Sequence, residues 1–204
     1  MKLYYSPGAC SLSPHIALLE AGLPYDLVKV YLRAKKLENG DDYLQVNPKG
    51  QVPALKLDSG ELVTEGPVIV QMIADQAPGK NLAPARDSAE RYKLLEWLNF
   101  ITGELHKNFS PLFNPAIPDD VKNVFRDRIM GKFKYIDSQL ASHDYVLGKQ
   151  FSVADGYLYT MLRWADAFKF DLSALKNLMA FKGRVGARPK VQEAMAREGL
   201  LKAA

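Results

Sequence analysis

One cysteine stands in the whole sequence, Cys10. It lies in Ser6-Pro7-Gly8-Ala9-Cys10-Ser11-Leu12-Ser13-Pro14, between an apolar opening (Leu3-Tyr4-Tyr5) and an apolar run at helical spacing (Leu12, Ile16, Leu19). That order predicts a strand, a Pro-Gly turn and the first turn of a helix. A thiol so placed meets the positive end of the helix dipole and backbone N–H groups without intrahelical partners. Such surroundings favour the reactive thiolate. A small buried hydrophobe is the other reading of the same residue, and position by itself weighs the two evenly.

Three further groups of residues carry chemistry in the right company. Val52-Pro53 opens a strand; a cis bond there would leave the backbone N–H and C=O of Val52 to an extended peptide, although a trans proline at a strand start is far commoner. Thr64-Glu65-Gly66-Pro67 leads from a strand into a helix, where N–H groups suit a carboxylate and Glu65 suits an ammonium. Simple capping of the helix by Thr64 and Glu65 is the alternative. On a long helix, Asn99, Gly103 and His106 fall within roughly 60° of one another at about 100° per residue. That stripe packs poorly and suits a polar cleft, with His106 as the proton-handling member; a plain surface histidine is the alternative, and the co-facial Asn99 and Gly103 weigh the two about evenly. Glu104 points away from it, toward another partner or another subunit. Lys35-Lys36, in a polar irregular stretch, offers a cation for a carboxylate or is plain solvated surface.

Other chemistries find no support. His15, His106 and His143 have no ligand-like spacing among themselves or with Cys10. There is no G-x-S-x-G, no Walker A sequence and no G-x-G-x-x-G. The net charge of +4 is spread among both signs, as in Arg126-Asp127-Arg128, rather than gathered into a nucleic-acid patch. A single cysteine allows no internal disulfide and fits a reducing compartment. No run is long and apolar enough to span a bilayer, and Met1-Lys2-Leu3-Tyr4-Tyr5 has no signal-peptide architecture. A cytoplasmic protein is expected, with no nucleic-acid or membrane partner.

The elements that must hold these residues change character along the chain. Strand 2–5, helix 12–21 and strand 25–31 read as a strand–helix–strand unit with a right-handed crossover. A polar segment follows, with a helical turn near 41–46. Residues 53–57 and 61–64 form a hairpin around Asp58-Ser59-Gly60, and residues 66–77 a second helix. After the linker 77–84 everything reads as helix: 88–108 behind a capping box at Asp87 and Glu90, then 119–140, 153–167 behind a capping box at Ser152 and Asp155, 172–185 and 189–197. The division expected is an α/β domain over residues 1–80 and an all-helical domain over 87–204.

In this order and spacing the motifs resemble the bacterial beta class of glutathione transferases, essentially end to end. The resemblance is carried by Met1-Lys2-Leu3-Tyr4-Tyr5 with Pro7-Gly8-Ala9-Cys10-Ser11-Leu12, by Asn47-Pro48-Lys49-Gly50-Gln51-Val52-Pro53-Ala54-Leu55, and by Leu62-Val63-Thr64-Glu65-Gly66. Glu96-Trp97-Leu98-Asn99-Phe100, Glu104-Leu105-His106-Lys107 and Ser152-Val153-Ala154-Asp155 complete it. It implies a thioredoxin-like N-terminal domain, an all-α C-terminal domain and a homodimer. Cys10 is then the active-site thiol near the glutathione sulfur, with His106 beside that sulfur or assisting proton movement. Val52, before a cis-Pro53, pairs with the glutathione cysteine; Glu65 and Gly66 hold the γ-glutamyl head; Lys35 reaches toward the glycyl carboxylate. Asn99 and the segment Gly103, Glu104, Leu105, His106 complete the site, with Glu104 reaching across the dimer.

Two departures from the wider pattern stand out. Gly66 replaces the serine of many relatives, which removes a hydroxyl and keeps the N–H. Phe151 meets Gly156 rather than an apolar residue, which weakens the hydrophobic staple of that helix.

The resemblance implies attack of the glutathione thiolate on a hydrophobic electrophile, with glutathione-dependent thiol transfer or peroxide reduction through Cys10 as a second activity. No metal is implied. Phe109, Phe113, Trp164 and Phe168 are either linings of the electrophile pocket or core. The competing function is a non-catalytic glutathione- or hydrophobic-ligand-binding protein on the same fold.

Overall fold

The computed structural model describes residues 1–201. They divide into two compact units, residues 1–83 together with 188–201, and residues 84–187.

The first unit is built on a mixed sheet of strand order β3-β2-β1-β4-β5. β1 (Lys2–Tyr5) runs parallel to β2 (Asp26–Tyr31), with Lys2 opposite Asp26 and Tyr5 opposite Lys29. The crossover between them is α1 (Leu12–Ala21). β4 (Ala54–Lys56) lies antiparallel on the other side of β1 and forms the expected hairpin with β5 (Leu62–Thr64). The two-residue strand β3 (Lys36–Leu37), antiparallel to β2, falls in the segment read from sequence as irregular. It is too short to show the alternation that marks a strand. Successive side chains of β1 alternate between faces. Tyr4 enters a buried cluster with Val30, Leu37, Tyr43, Val52 and Ala54.

α1 is buried on nearly every side, between α2 (Gly66–Gln76) and α8 (Pro189–Arg197). It ends on Gly22 at φ +69, whose N–H reaches back to the carbonyls of Leu18 and Leu19. The expected second domain ran to residue 204, yet α8 packs in the compact unit of the sheet. Arg188 grips Glu20 of α1 with two bonds of 2.7 and 2.9 Å, and Glu198 meets His15 at 2.8 Å. The apolar face of α8 (Val191, Ala194, Met195) is legible in sequence, whereas what it packs against is not.

The second unit is helical: α3 (Ala89–Phe100), a π-helical turn Ile101–His106, α4 (Lys107–Phe109), α5 (Asp119–Gln139), α6 (Val153–Ala167) and α7 (Lys176–Gly186). α6 is buried along most of its length. Its capping box forms as expected: Asp155 Oδ2 accepts from the Ser152 N–H (2.7 Å) and hydroxyl (2.8 Å). Asp155 Oδ1 also accepts from Val146 N–H at 2.8 Å, a third anchor. Phe151 needs no staple partner at Gly156, because it packs edge-on against Tyr145 at 5.8 Å. The capping box expected at Asp87 does not form. Ser88 is the N-cap instead, with no side-chain cap bond. Among the described residues no helix is long and apolar enough to cross a membrane. The α/β plus all-α architecture expected from the motifs is the one observed.

Candidate functional site

The turn that presents Cys10 is fixed before the thiol itself is considered. Gly8 sits at φ +71, in the left-handed region that glycine tolerates, and donates its N–H to Glu198 Oε2 at 2.9 Å. Ser11 is fully buried, and its hydroxyl bridges the N–H and C=O of Ser6, both at 3.2 Å. The turn closes with Ala9 N–H on Ser6 O and Leu12 N–H on Ala9 O, both 3.0 Å. Cys10 is half-buried rather than core, and its Sγ donates to the carbonyl of Val52 at 3.2 Å. The Val52–Pro53 bond is cis. The sequence expectation left both backbone groups of Val52 to a ligand, whereas the carbonyl already serves Cys10.

The segment before Val52 is tied down by Asn47, a motif member, by Tyr43, which no motif singled out, and by Lys35, expected to bind the glycyl carboxylate. Asn47, almost fully buried, donates to Gln51 O (2.8 Å) and accepts from Lys49 N–H (3.1 Å). The Tyr43 hydroxyl donates to the same Gln51 carbonyl at 2.8 Å, and burial foremost pushes its pKa up to about 12. Lys35 places its Nζ 2.7 Å from Gly50 O. Gly50, at φ +60, admits that side chain: a Cβ would lie 3.2 Å from Lys35 Cδ and Cε and 3.0 Å from Leu44 Cδ2. A carbonyl partner leaves the Lys35 charge without a counter-charge in this contact.

Glu65 stands where β5 hands over to α2. Its φ is +67, a conformation costly for a side-chain-bearing residue, and Lys35 shares it at +53. Two of the expected binding residues thus carry backbone strain. The Glu65 carboxylate meets the Lys49 ammonium at 2.7 Å, and Lys49 also reaches Thr64 Oγ1 at 3.0 Å. Lys49 went unnoticed as a site residue, because its partner is sixteen residues away. The N–H groups of Val68 and Ile69 are spent on Glu65 O, and Pro67 has none, so among the described residues Gly66 presents an open N–H at this helix start. A Cβ on Gly66 would sit 3.8 Å from Pro53 Cγ, an ordinary contact.

The remaining expected residues belong to the second unit. Asn99 and Gly103 are exposed, as the stripe required. The helix does not hold 100° per residue through them. Lys107 N–H bonds to Thr102 O, five residues back, and this π turn rotates His106 inward. His106 Nδ1 lies 2.6 Å from the Tyr157 hydroxyl, with the Trp164 ring edge-on at 4.9 Å. Burial first, and Lys107 second, hold its pKa down to about 4, so the imidazole is neutral at pH 7. Glu104 pairs with Lys132 of its own chain at 2.7 Å, which lowers its carboxyl pKa. Leu105 is fully buried and serves the core of this unit rather than presenting a side chain. Of the four aromatics, Phe109 is core, Trp164 nearly so, and Phe113 is 53% exposed, packed edge-on to Trp164 at 4.9 Å and Phe168 at 4.7 Å.

A partly exposed thiol, a strained carboxylate and an open helix N–H suit a peptide-like ligand that carries both an ammonium and a carboxylate. Comparison with known proteins gives the family. The family description "Glutathione S-transferase, N-terminal domain" matches residues 8–76, and "Glutathione S-transferase, C-terminal domain" matches residues 100–189. The chain belongs to the glutathione S-transferase family. It is 50% identical to the glutathione S-transferase GstA of Escherichia coli O157:H7 over 200 residues, covering 98% of this chain and 100% of that relative. It superposes at TM-score 0.96 on a ternary complex of BphK, a bacterial glutathione S-transferase, with 58% identity over 98% and 100% of the two chains. A bacterial beta class transferase from Sphingomonas chungbukensis gives TM-score 0.96 and 48% identity, again over 98% and 100%. The beta-class resemblance read from the motifs is borne out at transferase family level and in fold.

Proposed function

We propose that this transferase conjugates glutathione to hydrophobic electrophiles, the glutathione thiolate attacking an electrophilic carbon, sulfur or peroxide oxygen. The observation that carries the reading is Cys10, half-exposed in the turn before α1 with its Sγ 3.2 Å from Val52 O, in a chain of this family. Family membership supports catalysis over a binding role. In this reading the 1–80 domain binds glutathione. Glu65 and the Gly66 N–H take the γ-glutamyl head, and Lys35 takes the glycyl carboxylate. Val52, next to Pro53, pairs with the cysteinyl backbone. Lys49 joins the set by holding Glu65. From the helical unit, residues 84–187, the same reading takes Asn99 of α3, Gly103, Glu104 and Leu105 of the π turn, and His106 as a hydrogen-bonding group for the sulfur.

A second activity follows from the position of the thiol. Cys10 thiolate attacks the glutathionyl sulfur of a mixed disulfide and releases the other thiolate. A second glutathione thiolate then attacks the Cys10 adduct, giving glutathione disulfide and free Cys10. A homodimeric, cytoplasmic enzyme belongs to the same proposal. The test is retention on immobilised glutathione, turnover of an aryl halide, and mass spectrometry of the intact protein for a glutathione adduct on Cys10. Retention, turnover and an adduct support it. Retention without turnover of any electrophile overturns conjugation, and an unmodified Cys10 in oxidised glutathione overturns thiol transfer.

A further inference from the structure

His106 has a partner that the family motifs do not name. We propose that Tyr157 is a positioning residue that fixes the tautomer of His106, its hydroxyl donating to Nδ1 so that the imidazole carries its proton on Nε2. What this does for the reaction rests on the reading of His106 given above; the tautomer itself does not.

The geometry leaves one arrangement favoured. The Tyr157 hydroxyl lies 2.6 Å from His106 Nδ1, and the rings meet edge to face at 5.8 Å. Tyr157 is almost fully buried on α6, and Trp164, two turns further along that helix, packs edge-on to the imidazole at 4.9 Å. Both contacts hold the ring plane. A second group near Tyr157 Oη is Thr102 Oγ1, at 3.4 Å. Thr102 has a single hydroxyl proton, and it goes to Leu98 O at 2.7 Å, since a carbonyl can only accept. Toward Tyr157, Thr102 is therefore an acceptor at the outer limit of hydrogen bonding. A phenol choosing between a nitrogen at 2.6 Å and an oxygen at 3.4 Å donates to the nitrogen.

The imidazole is neutral near pH 7, so it has one acceptor nitrogen and one donor nitrogen. Nδ1 accepts; Nε2–H is then the donor, and a donor is what a thiolate requires. The π turn makes this possible. Its Lys107-to-Thr102 bond sets Thr102 and His106 together against α6. A regular helix would bring His106 round by a different angle.

The experiment is a long-range proton–nitrogen correlation spectrum of protein labelled with 15N-histidine at pH 7. Three histidines give three ring patterns, and His106→Asn assigns the one in question. The expected pattern is protonated Nε2 with unprotonated Nδ1. Tyr157→Phe is expected to mix the two tautomers and lower kcat about tenfold with little change in KM for glutathione. Thr102→Val is expected to leave the tautomer as it is. A protonated Nδ1 in the parent protein overturns the proposal even where Tyr157→Phe does not fold, as does an unchanged pattern in Tyr157→Phe. The expected tautomer together with parental turnover in His106→Asn would leave the positioning role standing and remove His106 from the reaction.

Discussion

The thiol of Cys10 rests on the carbonyl of Val52, 3.2 Å away, so the reactive sulfur and the backbone proposed to bind the peptide are coupled before any ligand arrives. Cys10→Ser keeps a hydroxyl donor for that carbonyl and removes the sulfur. Glutathione affinity should stay within about threefold, because a single neutral hydrogen bond is nearly conserved. Disulfide reduction and the glutathione adduct should vanish. Assays of disulfide reduction and of aryl-halide conjugation, run side by side, check this. Unchanged rates in both would remove Cys10 from the chemistry.

Gly66 offers room for the hydroxyl it lacks. A Cβ there meets nothing closer than Pro53 Cγ at 3.8 Å, and the position starts a helix, where serine is well tolerated. Gly66→Ser should therefore fold normally and lower KM for glutathione about two- to tenfold, the effect of one added hydrogen bond. Steady-state kinetics at varied glutathione decide it. A raised KM would place the γ-glutamyl head elsewhere.

Glu198 and His15 form a pair whose side chains are both wholly buried, and Glu198 also takes the Gly8 N–H. Among the described residues His15 Nε2 has no partner, so its Nδ1 contact is what satisfies the ring. Glu198→Ala should cost at least about 1–3 kcal/mol, since removing one hydrogen-bond partner strands the other away from water. Urea unfolding measures that loss. Conjugation should fall as well while the protein is still folded, because the Gly8 turn that leads to Cys10 loses the hydrogen bond to Glu198.

Two buried groups give opposite pH slopes. Burial first and Lys107 second bring the pKa of His106 from 6.5 to about 4, so the unfolded chain takes up its proton first. Stability falls by up to about 3 kcal/mol as pH drops through 6.5 to 4. Burial lifts the Asp155 carboxyl from 3.8 to about 6, against the lowering donors Val146 and Ser152. Its folded state is protonated first. That contribution is complete below pH 3.8 and is lost, about 3 kcal/mol, as pH rises through 6. Between pH 4 and 6 the two nearly cancel. His106→Asn should gain stability on acidification over that range, and Asp155→Asn should lose it more steeply than the parent. Urea titrations at several pH values test both, and equal slopes in both variants would contradict the assignment.

What was readable in the chain had short range. Pro7-Gly8 before Cys10, Asp58-Ser59-Gly60 between two apolar runs and Ser152 with Asp155 are turns, hairpins and caps closed within a few residues. The side chains that make them are neighbours in sequence, so their pattern is visible there. The apolar spacing of Leu12, Ile16 and Leu19 marks α1 as a helix in the same way, although α1 is buried on nearly every side. The proposed site residues are assigned from motif order, which the linear chain states directly. Lys49 on Glu65, Tyr157 on His106 and Glu198 on His15 could not be read this way. Those pairs span 16, 51 and 183 residues.

The sequence by itself determined the fold class, the turn that carries Cys10 and the family. Each depends on local conformational preference or on motif order, which the linear chain states directly. Only the tertiary structure decided which atoms face one another. It gave the Val52 carbonyl to Cys10, turned His106 inward through a π turn, and set α8 against α1. Hydrogen bonds and burial act through space, and no spacing rule along the chain encodes the partner at their far end.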